Sequence, residues 1–197
     1  FMSARSIDPG RARDLAVGDV DRDGLPDVLV VGGFGIHLHG NQVANPGTFA
    51  LTGSWSTPAW PSAMAMADFN GDGWLDVATA VSESDSFDWA GIAYRLQDPL
   101  DPGAFGAEVE HRYAQARSLG SLSATDMEGD GRADLVAAVS DGAAGISIAV
   151  QTTNGSTFVS PIFYSSRQTS GKWSAAIGQL GPDTIYDVVL ADGVDTG

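Results

Sequence analysis

Short runs in which apolar and polar residues alternate recur along the chain, separated by glycine-rich turns. Four alternating stretches, DLAVG, SAMAMA, SLSAT and WSAAIG, each precede an acidic segment, and four mainly apolar stretches, VLVVG, VATAV, LVAAV and VVLA, follow those segments. Alternation with a period of two is typical of half-buried strands, and short apolar runs between turns are typical of buried strands. The pattern predicts pairs of strands joined by acidic turns, and no stretch shows a convincing helical period.

Each repeat predicts two further strands. A glycine opens another alternating stretch, and a phenylalanine follows it 13 or 14 residues later; these pairs are Gly35 and Phe49, Gly91 and Phe105, and Gly145 and Phe158. The acidic segments start 49, 58 and 53 residues apart, a period that suits the blades of a propeller. The predicted fold is an all-β propeller of four-stranded antiparallel blades, with strands before and after the acidic turn, at the glycine and at the phenylalanine.

The repeats also divide the chain into blades. With 197 residues, the chain holds about three and a half periods of this length. The predicted boundaries are an outer strand of a preceding blade at 1–12, blade 1 at 13–55, blade 2 at 56–112, blade 3 at 113–165 and an incomplete blade 4 at 166–197. We expect a partial ring, or one that an oligomer completes.

The acidic segments themselves share one spacing. They read DVDRDGLPD from Asp19 to Asp27, DFNGDGWLD from Asp68 to Asp76 and DMEGDGRAD from Asp126 to Asp134. Oxygen-bearing side chains occupy positions one, three, five and nine, and a glycine at position six relieves the sharp turn. Alternate side chains then point inward and the carbonyl of position seven can add a ligand, which predicts an oxygen-lined cation site of the kind that selects Ca²⁺.

About three calcium ions are therefore expected, one in each loop. The predicted ligands are Asp19, Asp21, Asp23, the Leu25 carbonyl and Asp27; Asp68, Asn70, Asp72, the Trp74 carbonyl and Asp76; and Asp126, Glu128, Asp130, the Arg132 carbonyl and Asp134. The Trp74 side chain is predicted to cover the ion. A fourth segment, QLGPDTIYD from Gln179 to Asp187, lacks most of these ligands, and we expect no ion there.

The repeats resemble the FG-GAP/VCBS repeats of integrin-α-like β-propellers over essentially the whole chain, most closely in the first three copies. Even the literal Phe-Gly occurs, as Phe34-Gly35 after Val31-Gly32-Gly33. The resemblance implies Ca²⁺ in the loop between the two inner strands of a blade, a ring usually of seven blades, and an extracellular or cell-surface setting. Seven periods would need about 350 residues, so we expect another copy or further sequence to complete the ring.

Composition narrows the range of partners. Ten Lys and Arg against 25 Asp and Glu give a formal charge of −15, which opposes binding to nucleic acid or to anionic lipid. No apolar run is long enough to insert into a membrane. With no Cys, the chain can form neither a disulfide nor a thiolate metal site.

The expected function is that of a calcium-binding, non-catalytic module for adhesion or protein interaction. A carbohydrate-binding, lectin-like propeller is the first alternative, because five Trp residues, Trp89 in the long insertion above all, could stack on sugar rings. A part of a polysaccharide-processing enzyme is the second, and it would need an acid pair outside the loops. No catalytic residue is predicted.

Overall fold

The computed structural model describes residues 12–33, 35–82, 89–114, 116–140, 146–154, 157–166, 172–179 and 186–193. All regular structure in these ranges is β, and no helix there could span a membrane. Three four-stranded sheets and one pair of strands follow each other along the chain. We call these blades 1 to 4.

Each complete blade is an antiparallel meander. Blade 1 contains β1 (Ala12–Gly18), β2 (Asp27–Gly32), β3 (Gly35–Asn41) and β4 (Phe49–Ser56); blade 2 contains β5 (Trp60–Ala67), β6 (Asp76–Ser82), β7 (Ala90–Arg95) and β8 (Val109–Tyr113). Blade 3 contains β9 (Ser118–Thr125), β10 (Asp134–Ser140), β11 (Ile146–Gln151) and β14 (Ile162–Ser166), with a small hairpin of β12 (Thr153–Asn154) and β13 (Thr157–Phe158) between the last two. Strands β15 (Lys172–Gly178) and β16 (Asp187–Gly193) form blade 4.

The predicted all-β fold of four-stranded antiparallel propeller blades is confirmed. The first strands of successive blades lie beside each other, because β1 contacts β5, β5 contacts β9 and β9 contacts β15. Each acidic segment joins the first and second strands of its blade. The three acidic loops therefore lie next to one another at one end of the inner strands.

Apolar side chains from neighbouring blades form the core. Leu29 and Val31 of blade 1 pack with Met64 and Val77 of blade 2, whereas Ala80 on the other face of blade 2 packs with blade 3. Because successive residues of a strand point to opposite faces, β6 and β10 each supply one row to the preceding blade and one to the following blade. This explains why β6 and β10 are buried along almost their whole length.

The repeated phenylalanine marks a different position from the predicted one in two blades. Phe49 begins β4, but the fourth strands of blades 2 and 3 begin at Val109 and Ile162, four residues beyond Phe105 and Phe158. Phe105 packs edge-on against Trp55 of blade 1 at a centroid distance of 4.9 Å. Phe158 packs in the same way against Tyr94 of blade 2, also at 4.9 Å. These rings fill the space between blades, because burial there removes more apolar surface from water than a place in an outer strand would.

Several predictions fall outside the described residues. They are the outer strand at 1–12, except for Ala12; Phe34 of the Phe-Gly pair; most of the insertion that precedes Trp89; Gly145; and residues 180–185 of the fourth acidic segment. Within blade 4, Asp187 begins β16, as Asp27, Asp76 and Asp134 begin the second strands of the other blades.

Candidate metal centres

The three acidic loops share a hydrogen-bond pattern that holds their side chains inward. The carboxylate at position one accepts the N–H of the glycine at position six, from Gly24 to Asp19 at 3.0 Å, from Gly73 to Asp68 at 2.7 Å and from Gly131 to Asp126 at 2.8 Å. These glycines have φ values of 89°, 86° and 86°. Such left-handed backbone favours glycine, which explains why position six carries it in all three loops.

Positions three and five also bend back onto the loop backbone. The position-five carboxylate accepts the N–H of position seven at 2.8 to 2.9 Å in the pairs Asp23 and Leu25, Asp72 and Trp74, and Asp130 and Arg132. At position three, Asp21 and Asn70 accept the N–H of position five. These local bonds occupy one lone pair of each oxygen and leave others for a cation. The carbonyls of Leu25, Trp74 and Arg132 remain predicted ligands.

The acid at position nine lies beneath each loop. Asp27, Asp76 and Asp134 are only 1%, 0% and 2% exposed. Each accepts the N–H of position two, at 2.9 Å from Val20, 2.9 Å from Phe69 and 2.8 Å from Met127. The other oxygen of Asp27 accepts the backbone N–H of Asn41, at the end of β3, at 2.8 Å. The other oxygen of Asp76 accepts the backbone N–H of Gln97, just past β7, also at 2.8 Å. Position nine therefore fastens the loop to its blade, in addition to its predicted place among the ligands.

Loop 1 (Asp19–Asp27) gathers the most compact set of acids. One oxygen from each of Asp19, Asp21 and Asp27 lies within 4.8 Å of the others. Burial raises the pKa of Asp21, and the neighbouring carboxylates of Asp27, Asp23 and Asp19 raise it further against a hydrogen bond from the Asp23 amide. Asp19 Oδ1 is buried without a hydrogen-bond partner. An oxygen of this kind beside two other carboxylates fits a calcium ion, which would satisfy it and offset the repulsion.

Loop 2 (Asp68–Asp76) has a different balance of interactions. Asn70 Nδ2 donates to Asp72 Oδ2 at 2.9 Å, so an amide links two of its predicted ligands. Burial raises the pKa of Asp76 to about 6; hydrogen bonds from the Gln97 and Phe69 amides lower it, while Asp72 and Asp68 raise it. A nearby divalent cation would favour the ionised form of Asp76.

Loop 3 (Asp126–Asp134) is the most strongly bonded to itself. Amides of Gly131, Gly129, Asp130 and Glu128 lower the pKa of Asp126 against a smaller effect of burial. Arg132 forms an ion pair with Asp130 at 2.9 Å. Among the described residues, loop 1 alone brings three acidic side chains within 4.8 Å. Loops 2 and 3 therefore supply the predicted donor types but hold their carboxylates farther apart.

Contacts between loops involve two residues that sequence reasoning missed. The Arg22 guanidinium lies over the Trp74 ring, 4.2 Å from its centroid, and donates to the Gly73 carbonyl oxygen. The Trp74 ring thus stacks on a side chain of the neighbouring loop, and its covering of the ion stays a prediction. Gln97 Nε2 donates to the Val20 carbonyl oxygen at 3.0 Å, which joins blade 2 to loop 1.

Two other tryptophans lie away from the loops. Trp89 is half-buried, packs with Ala59, Val81 and Ala93, and carries the Arg112 guanidinium 4.2 Å above its ring.

Trp60 lines a cleft of about 460 Å³ between blades 1 and 2, together with Ala12, Arg13 and Gly33. The Arg13 guanidinium lies 5.8 Å from the Trp60 ring centroid. This cleft lies at the ends of β1 and β5 opposite the acidic loops.

Part of the chain matches a known protein family. Residues 19–79 match the model of an FG-GAP-like repeat, from the first acid of loop 1 into β6 beyond loop 2. The match supports the resemblance drawn from the repeats and spans about a third of the chain. None of the curated proteins matches the chain.

Proposed function

We propose that this chain, with its FG-GAP-like repeats, is a calcium-binding β-propeller module that serves as an extracellular adhesion or protein-interaction scaffold and has no catalytic role. The observation that carries the proposal is the set of oxygens in loop 1. Three carboxylates approach within 4.8 Å, and Asp19 Oδ1 is buried without a partner. Loops 2 and 3 repeat the same donor positions and backbone bonds.

The chemistry of the donors favours Ca²⁺ over other ions. Every predicted ligand is an oxygen, and the loops offer more than six of them in a flexible setting, which suits Ca²⁺ better than Mg²⁺ or Zn²⁺. Asp19, Asp21, Asp23, Asp27 and the Leu25 carbonyl would hold the ion in loop 1. A bound cation would neutralise the carboxylates and cross-link β1 to β2 through their turn.

The exposure of the loops supports an extracellular setting. Positions three to six of loop 1 are exposed, so solvent and counter-ions reach the predicted ligands from one side. Open sites of this kind bind calcium weakly, and extracellular modules typically have Kd values of about 10⁻⁴ to 10⁻³ M. Calcium at the concentrations found outside cells would fill such sites.

The calcium proposal is tested by calorimetric titration and by thermal unfolding in chelator and in calcium. Each independent site should add about 3 kcal/mol to the free energy of unfolding when free calcium is about 100 times its Kd. Asp21→Ala should remove the contribution of loop 1. Glu110→Ala is the matched control, because Glu110 forms only an exposed ion pair with Arg112 away from the loops. An unfolding midpoint that is the same in chelator and in calcium would refute a structural role for the ion.

Carbohydrate binding is the second candidate function, and the cleft at Trp60 favours it. The cleft combines an aromatic ring with the Arg13 guanidinium between two blades. An aromatic face can stack on a sugar ring while a cation hydrogen-bonds to its hydroxyls. A glycan array with the whole chain tests this: a bound glycan should be lost in Trp60→Ala and kept in Trp89→Ala. Absence of any bound glycan would favour the adhesion role.

A further inference from the structure

Position four of the acidic loops requires left-handed backbone, and loop 1 meets this requirement with an unusual residue. Loops 2 and 3 carry Gly71 and Gly129 there, with φ values of 78° and 74°. Loop 1 carries Arg22, with a φ of 59°, which is the one positive φ of a non-glycine residue in the described ranges. This conformation is unfavourable for a residue with a Cβ, so other contacts must hold Arg22 in it.

The contacts that hold Arg22 all lie in loop 2. Its guanidinium stacks on the Trp74 ring at 4.2 Å and donates to the Gly73 carbonyl oxygen. A Cβ at position 73 would lie 2.9 Å from Arg22 Nη2, so a glycine there leaves room for the guanidinium. Arg22 takes part in none of the three ion pairs found among the described residues. Its side chain is directed to the neighbouring loop rather than to a carboxylate of its own.

Loops 2 and 3 are joined in another way. The Ala133 amide donates to the Asp68 carbonyl oxygen at 2.8 Å, a backbone link that needs no particular side chain. Between loops 1 and 2, Gln97 makes a buried link. Its side-chain Nε2 donates to the Val20 carbonyl oxygen, and its backbone N–H donates to the Asp76 carboxylate. Arg22 adds a second link at the exposed rim, next to positions six and seven of loop 2.

We propose that Arg22 is a latch that couples cation binding in loop 1 to cation binding in loop 2. The proposal rests on the function proposed above, that both loops bind calcium. An ion in loop 1 would fix position four in its left-handed conformation and so place the guanidinium on Trp74 and Gly73. Those contacts would hold the turn of loop 2 in its binding conformation. By thermodynamic linkage, an ion in loop 2 would favour binding in loop 1 to the same extent.

The experiment measures loop 2 while loop 1 is disabled. Two-dimensional ¹H–¹⁵N spectra of the whole chain follow the Gly73 amide during a calcium titration at about 0.15 M salt, where long-range effects of charge are screened. Asp21→Ala is introduced both with Arg22 present and in Arg22→Gly. The glycine variant copies position four of loops 2 and 3, so it is compatible with the backbone of the loop.

With Arg22 present, Asp21→Ala should raise the calcium midpoint of loop 2 by about fivefold or more. In Arg22→Gly, the same substitution should raise it by less than about twofold, because the latch is already lost. Arg22→Lys should resemble Arg22→Gly, since it keeps the charge but loses the planar stacking group. Arg112→Ala is the control, because Arg112 stacks on Trp89 at the same 4.2 Å but away from the loops, and it should leave the coupling intact.

The outcomes separate the two proposals. If calcium shifts the Gly73 signal and Asp21→Ala moves the midpoint equally with and without Arg22, the latch is refuted and calcium binding stands. If calcium shifts no signal from either loop in the unsubstituted chain, calcium binding itself is refuted. Equal coupling in Arg22→Lys and in the unsubstituted chain would also overturn the latch, because a charge alone would then be sufficient.

Discussion

The aspartate at position nine has a structural task that does not depend on a cation. Asp27 is buried and accepts backbone amides from Val20 and Asn41, so its charge is compensated by two hydrogen bonds within the blade. Asp21, by contrast, is exposed and accepts one amide within its own loop. The fourth repeat also keeps an acid at position nine, Asp187, besides Asp183 at position five. The two kinds of acid should therefore respond differently to substitution.

Asp27→Asn should lower the free energy of unfolding by about 2 to 3 kcal/mol even in chelator, because an amide cannot replace both charge-assisted bonds. Asp21→Ala should change stability in chelator by less than about 0.5 kcal/mol and should instead reduce the stabilisation by calcium. Urea unfolding of both variants, in chelator and in calcium, checks this. Equal losses in chelator for the two variants would contradict the separate role of position nine.

The glycine at position six offers a test of backbone strain alone. A Cβ on Gly24 would meet no atom within 4 Å, but the φ of 89° is unfavourable for alanine. Gly24→Ala should therefore destabilise the fold by about 1 to 2 kcal/mol. Gly178→Ala is the control, because a Cβ there also meets open space and the backbone is not left-handed. Thermal unfolding in chelator should show the loss for Gly24→Ala alone.

The sequence identified the glycine turn within each loop, and it missed the residues that act between loops. Position six could be assigned because the turn that demands glycine is local. Arg22 and Gln97 could not be assigned, since their partners Trp74 and Val20 are distant in sequence and meet them only when blades 1 and 2 pack. Gly71 and Gly129 at position four of loops 2 and 3 indicate left-handed backbone there. Because loop 1 has Arg22 at this position, the three repeats share no glycine that would have revealed the requirement.

At the level of strands, the side chains that blade 2 presents to its two neighbours differ in size. Its inner strands present small residues to blade 3, among them Ala63, Ala65, Ala78 and Ala80, which are at most 6% exposed. Blade 1 meets blade 2 through larger ones such as Leu29 and Met64. Close packing leaves little room for added methylene groups on the alanine side.

Ala80→Leu should destabilise the fold by about 1 to 3 kcal/mol, because the larger side chain would force β6 away from blade 3. Ala176→Leu adds the same atoms at an exposed position of β15 and should be close to neutral. Denaturant unfolding compares the two variants. Similar losses in both would mean that strand propensity, rather than packing between blades, controls the effect.

Alternation located the first three strands of each repeat better than the fourth. The second and third strands of blades 1 and 2 are buried on both faces, so their apolar pattern is visible in the sequence. The fourth strands lie at an edge and carry exposed residues such as Ile162 and Tyr164, which weakens the pattern. The fourth strands of blades 2 and 3 were predicted at Phe105 and Phe158 because these residues are apolar. Their rings instead pack between neighbouring blades.

At the scale of the whole molecule, none of the described residues forms a blade against the outward face of β1. Leu15 and Val17 in β1 are each 58% exposed. The equivalent residues of β5 are Met64 and Met66, which pack against blade 1, and Met64 is only 5% exposed. The face of blade 1 that carries Leu15 and Val17 is thus equivalent to the face with which blade 2 packs against blade 1. We expect a blade from a second copy of this chain to cover it.

Substitution of Leu15 and Val17 by Lys should then reduce the oligomer without unfolding the blades, because two charges would have to be buried in the contact. Val43 is 67% exposed but lies in the turn before β4, so Val43→Lys is the matched control. Sedimentation velocity, with circular dichroism as a check of folding, measures the result. A compact monomer for the unsubstituted chain would contradict the expectation.

Trp74 gives the chain a built-in optical label. It occupies position seven of loop 2, where loops 1 and 3 carry Leu25 and Arg132. A luminescent lanthanide such as terbium, bound in place of calcium, could be excited by energy transfer from that indole. Green emission would then report the filling of the middle loop in preference to its two neighbours, without any dye attached to the protein.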